Sequence, residues 1–167
     1  DLAMARYNAD GSLDTSFGTN GRVITDFGSD EGCRDLALQT DGRIVLAGYA
    51  MNASYNTDFA LVRYNPDGSL DTSFGTDGLT TTDFNGDFDD SHALAMQPDG
   101  KFLAAGSAYN QSSYYDFALA RYNGDGGTFT YDPNGQFESL SASEVATDTF
   151  NYVVSDGALT DTATVSI

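Results

Sequence analysis

Apolar and polar residues alternate with period two in Phe59-Ala-Leu-Val-Arg-Tyr64, and the stretches between such runs are punctuated by Asp-Gly and Asn-Gly. Alternation places one set of side chains on each face of an extended chain, so the pattern predicts strands joined by tight turns. Residues 34–39 and 43–49 flank Thr40-Asp-Gly42, and residues 92–97 and 101–107 flank Pro98-Asp-Gly100, so each pair reads as a hairpin. No stretch carries a helical period with caps. The same phrase occurs three times, as Asp1-Leu-Ala-Met-Ala-Arg-Tyr-Asn8, Asp58-Phe-Ala-Leu-Val-Arg-Tyr-Asn65 and Asp116-Phe-Ala-Leu-Ala-Arg-Tyr-Asn123, at spacings of 57 and 58 residues. A fixed long period of this kind marks a repeat architecture.

Each period holds four short strands. That is what a β-propeller blade requires, because each small antiparallel sheet buries both faces against its neighbours. The expected fold class is therefore all-β, built of propeller-type blades of four antiparallel strands. The segments Gln97-Pro-Asp-Gly-Lys101, Asp116 to Asn123, and Asp-Gly-Ser-Leu-Asp-Thr-Ser-Phe-Gly at 10–18 and again at 67–75 resemble the bacterial delta-60 repeat, which looks like such a blade. The resemblance covers residues 1–126. It implies a strand order running outward from 34–39 through 43–49 and 58–64 to 79–84. By this phase the chain opens with the outer two strands of one blade, contains one complete blade and begins another.

Residues 127–167 read differently. Thr128-Phe-Thr-Tyr131 and Tyr152-Val-Val-Ser-Asp-Gly157 resemble the C-terminal half of the cadherin-like repeats, VCBS type, of large bacterial surface adhesins. Three or four strands do not make a two-sheet core alone. They pack on the repeats, find a partner chain, or represent a domain whose other half is lost. One arrangement satisfies the strand count: residues 128–131 serve as the fourth strand of the last blade, and the hairpin of 149–155 with 162–167 supplies the two inner strands missing from the first. Three blades do not close a ring, so two chains would form a six-bladed one, with no free sheet edges.

With 167 residues and 40% hydrophobic content, the chain is long enough for one or two small domains with a core. Seven basic residues against 25 acidic ones give a net charge of -18, which repels phosphate backbones and anionic lipid and argues against nucleic-acid and membrane-surface binding. Cations are the natural counter-charge. No apolar run is long enough to span a bilayer, and residue 1 already lies inside a repeat, so an export signal is expected upstream. Cys33 is the single cysteine and reads as a small buried hydrophobe.

Two acidic features carry candidate chemistry. The turns Asn8-Ala-Asp10-Gly-Ser12-Leu-Asp14 and Asn65-Pro-Asp67-Gly-Ser69-Leu-Asp71 set oxygen-bearing side chains at alternate positions around a glycine, as a calcium loop does, although the bidentate acid of an EF-hand is missing. The alternative is a plain Asp-Gly turn between strands. The second feature is the pair of connections entering the inner strands, with Asp30 and Glu31 in one and Asp89, Asp90 and His92 in the next. In propellers such connections ring one mouth of the channel, where these groups would converge on calcium or another divalent metal. By analogy of fold with the calcium lactonases and phosphotriesterases, His92, Asp89 and Asp90 would then be catalytic. No Gly-x-Ser-x-Gly accompanies the single histidine, and Asp26-Phe-Gly28 stands without the other kinase motifs. Tyr49, Tyr55, Tyr109, Tyr114 and Tyr115 fall on blade edges, where rings stack on sugars. Arg6, Arg63 and Arg121 recur in the repeat and read as anchors for carboxylates between blades.

The leading expectation is a secreted or cell-surface bacterial module for adhesion or assembly, calcium-associated and homo-oligomeric as a dimer or trimer. The alternatives are a metal-dependent hydrolase of phosphoesters or lactones and a carbohydrate-binding propeller with a glycan partner.

Overall fold

The computed structural model describes residues 1–84, 87–110, 114–126, 128–131, 149–155 and 160–166. Residues 85 and 86 of the second acidic connection, 111–113, and 127, 132–148, 156–159 and 167 of the C-terminal segment lie outside the described residues. The chain divides into two units, Asp1–Asp132 and Pro133–Ile167.

Among the described residues the first unit contains ten strands: β1 (Leu2–Ala5), β2 (Arg22–Thr25), β3 (Glu31–Leu38), β4 (Ile44–Met51), β5 (Thr57–Tyr64), β6 (Leu79–Thr82), β7 (Asp89–Met96), β8 (Phe102–Asn110), β9 (Tyr114–Tyr122) and β10 (Thr128–Tyr131). They form a β1-β2 pair and two antiparallel four-stranded sheets, ordered β3-β4-β5-β6 and β7-β8-β9-β10. The strand order expected for a blade is the one observed, and residues 128–131 do supply the fourth strand of the last sheet. In the second unit β11 (Thr149–Ser155) pairs with β12 (Thr160–Ser166) as an antiparallel hairpin. Among the described residues β1 ladders with β2 and β11 with β12.

The turns follow from local chemistry. At Gln39–Arg43 the amide of Arg43 donates to the Asp41 carboxylate, and Gly42 takes the left-handed conformation (φ 85°) that side chains disfavour. Strand alternation then sorts neighbours into different layers. Val45, Ala47, Phe59 and Leu61 of the middle sheet face Phe102, Ala104, Ala118 and Tyr122 of the last. Their neighbours Ile44, Leu46, Val62 and Tyr64 face Leu2 and Phe17 on the other side. The central strands β4 and β5 of the middle sheet are thus buried on both faces, whereas the inner strand β3 keeps one face open.

Interlocks join each blade to the next. Tyr64 donates its hydroxyl hydrogen to Thr25 Oγ1 at 2.8 Å, and Tyr122 repeats this with Thr82 at 2.9 Å. The amide of Gly18 donates to Asp67 O at 2.7 Å, and that of Gly75 to Asp125 O at 2.9 Å. Arg6 reaches Pro66 O at 2.6 Å and Arg63 reaches Gly124 O, while each guanidinium also holds a carboxylate of its own repeat, Asp14 and Asp71. The expectation that the arginines anchor carboxylates between blades is met only in part: the carboxylates held by Arg6 and Arg63 belong to their own repeat, and what each takes from the next blade is a backbone carbonyl.

Both inner strands carry a bulge. The register slips between Cys33 and Asp35 in β3 and between Ser91 and Ala93 in β7, leaving Arg34 and His92 as the extra residues. Gly48 and Gly106 stand opposite, and a Cβ there would lie 1.9 Å from Gly32 O and 2.0 Å from Asp90 O. Only glycine lets the bulged strand come this close.

Candidate functional site

The acidic residues singled out above do not gather at one point. In the repeated turns, Asp10 Oδ1 accepts the amide and hydroxyl of Ser12, and Asp67 Oδ1 accepts those of Ser69. These bonds, the serine hydroxyl first, hold both carboxyls below the usual range. Asp14 and Asp71 likewise bond Ser16 and Ser73, and each also pairs with an arginine. The geometry is that of a stabilised turn, and among the described residues neither loop enters a cluster of three potential metal ligands. Asp30 is exposed at the mouth of β3.

Asp89 and Asp90 part company because they are neighbours in an extended strand. Asp90 lies with the bulge residues: Arg34 grips its Oδ2 through Nε at 3.0 Å and Nη2 at 2.8 Å, and His92 Nε2 is 3.6 Å away. An arginine therefore supplies the positive charge expected of a metal there, and His92 is exposed beside it. Asp89 turns to the opposite side. It is 0% exposed, and it meets Asp58 from the start of β5 and Asp83 from the exit of β6, with one oxygen from each of the three within 4.8 Å of the others. The structure thus separates Asp89 from His92.

Three elements build this junction. Asp58 is held by Asn52, whose side-chain amide donates at 2.9 Å, and Asp89 Oδ2 accepts the amide of Phe84 at 2.8 Å. Asp89 Oδ1 is buried without a hydrogen-bond partner. Burial pushes the Asp89 carboxyl up to about 6, against the Phe84 amide and with the help of the charges on Asp83 and Asp58. Burial also raises Asp58. One repeat earlier, Asp1, Asp26 and Glu31 form the corresponding cluster, with Glu31 buried. Glu31 and Asp89 are among the metal-ligand candidates marked by the sequence, whereas Asp58 and Asp83 fall at the start of one expected strand and inside another. Their signal was the repeat itself, which puts aspartate at 1, 58 and 116 and at 26 and 83.

A raised carboxyl pKa makes stability depend on pH in a fixed direction. The folded protein holds the Asp89 proton up to about pH 6, whereas the unfolded chain releases it near 3.8. In metal-free buffer the contribution is therefore full below pH 4 and is lost as pH rises to about 6, by at most ~3 kcal/mol. Urea titrations between pH 4 and 7 should show this decline, and Asp89→Asn should flatten it; an unchanged slope in the variant would assign the decline elsewhere.

The remaining candidates are surface groups. Tyr55 and Tyr114 are 80% and 72% exposed at positive φ, and Tyr109 stacks edge-on with Tyr115 at 5.4 Å. Cys33, expected to be buried, is exposed, because one face of the inner strand β3 is left uncovered.

Repeated four-stranded sheets buried face to face and locked by recurring arginines define a propeller-type repeat protein. The chain matches the family described as a domain of unknown function (DUF5122) beta-propeller over residues 1–17, 39–74 and 97–127. These segments make up half of the chain, and it belongs to that family. No curated protein and no solved structure matches it.

Proposed function

We propose that this protein is an extracellular or cell-surface scaffold module that works by stacking blades, associating with a second copy of itself to close the six-bladed ring that the strand count allows. The observation that carries the reading is a pair of equivalent phenylalanines. Phe59 is 0% exposed under the next blade, whereas Phe117, its counterpart one repeat later, is 63% exposed. At the other end Tyr7, the counterpart of Tyr64 and Tyr122, is 63% exposed while theirs are buried against a neighbouring blade. Each terminal face therefore presents the residues that the internal junction uses, in the complementary senses that head-to-tail stacking needs. The adhesin-like tail and the net charge of -18 support a place outside the cell and an association with calcium.

Light scattering on a size-exclusion column tests the reading. The expected result is a dimer for the native chain and a monomer for Phe117→Asp, with unchanged circular dichroism. A native monomer at high concentration, or a variant that still dimerises, overturns it.

A further inference from the structure

A fully buried carboxylate, Asp89, faces two others at the blade junction. Asp58, Asp83 and Asp89 bring oxygens within 4.8 Å of one another, and one of them is fully buried with an oxygen that accepts no hydrogen bond. A buried polar atom without a partner calls for an explanation, and a buried charge for a counter-charge. At Asp58, Asp83 and Asp89 the neighbouring charges acting on the buried carboxyl are those of the other two aspartates.

We infer that Asp58, Asp83 and Asp89 bind one calcium ion at the junction between the sheet β3–β6 and the sheet β7–β10. Donor chemistry and size point to this ion. The cluster offers carboxylate oxygens without nitrogen or sulfur, the set that hard cations take rather than zinc. Calcium holds its oxygens at about 2.3–2.6 Å, so oxygens on opposite sides of the ion stand up to about 5 Å apart, which accommodates the spread seen here. Magnesium at about 2.0–2.1 Å demands a tighter octahedron. Asn52 and the Phe84 amide fix Asp58 and Asp89 in place, and exposed Asp83 leaves the site a route to solvent. The ion ties the exit of an outer strand to the entry of the next inner strand, so it fastens successive blades where the chain passes between them.

The inference names the ion site of the calcium-associated scaffold proposed above, yet it stands or falls separately from the association of chains. Isothermal titration of the chelator-treated full chain with calcium chloride is expected to show one ion per chain, at least tenfold weaker binding of magnesium, and a rise in Tm on calcium addition. Asp89→Asn, which keeps the shape and removes the charge, is expected to abolish both the binding and the rise. Asp83→Asn lies at the exposed edge and leaves the core intact, so it serves where the buried variant fails to fold; it should weaken calcium at least tenfold. Absence of calcium binding, or binding unchanged in a folded variant, overturns the site. Light scattering in calcium and in chelator reports the assembly independently.

Discussion

Replacing Arg63 with alanine is expected to cost about 3–5 kcal/mol of unfolding free energy, because it breaks a buried ion pair and leaves its partner behind. Arg63 is 5% exposed, its Nε donates to Asp71 Oδ2 at 2.9 Å, its Nη1 donates to Gly124 O of the next blade, and its guanidinium lies 4.6 Å over the Phe74 ring. Alanine removes all three contacts at once. Asp71, itself 6% exposed, would retain Arg43 Nε at 3.2 Å, which keeps the loss toward the lower end of the range. Lysine should not rescue the variant, since one ammonium cannot span a carboxylate and a carbonyl while stacking on a ring. The equivalent Arg6 makes the same set of bonds, but its pair with Asp14 is partly solvated, so Arg6→Ala should cost no more than about 1 kcal/mol. Urea denaturation of the three variants would falsify the argument if Arg63→Ala and Arg6→Ala lost equal stability.

The contrast between these arginines shows what a sequence exposes and what it hides. Arg-Tyr-Asn recurs in all three copies, so a structural role for the arginine was legible, but whether a copy is buried depends on which blade follows it. Strand order was legible for a similar reason: period-two alternation and Asp-Gly turns are local, and the repeat supplies the same reading several times. The candidate site was less accessible. Asp89 and Asp90 look like one acidic patch in the linear sequence, yet a strand sends them to opposite faces. Carrying the alternation one pair further back from Ser91 would have separated them. The bulges at Arg34 and His92 were not legible, because a one-residue slip depends on the glycine across the ladder, Gly48 or Gly106, and not on the bulged residue. Cys33 misled for a related reason. An inner strand looks apolar enough to be core, but β3 leaves alternate residues open to solvent.

Truncating Phe59 to alanine should lower stability by about 3–5 kcal/mol, the range for a large aromatic removed from a core that does not collapse. Phe59 meets Phe84 edge to face at 5.0 Å and shares its layer with Phe74 and Phe102, in a junction held on both sides by laddered sheets. Those ladders prevent the sheets from closing over the gap, so the full cavity penalty is expected. Phe117→Ala makes the same chemical change at the equivalent place in the next repeat. On a single chain it removes an exposed ring and should cost less than about 0.5 kcal/mol. If a second copy covers that face, the cost must grow with protein concentration, because the ring is then buried only in the assembled state. Urea midpoints for both variants, taken at low and high concentration, separate the cases. A Phe117→Ala loss that rises toward that of Phe59→Ala places a blade on the open face, and a small loss at every concentration leaves that face solvated.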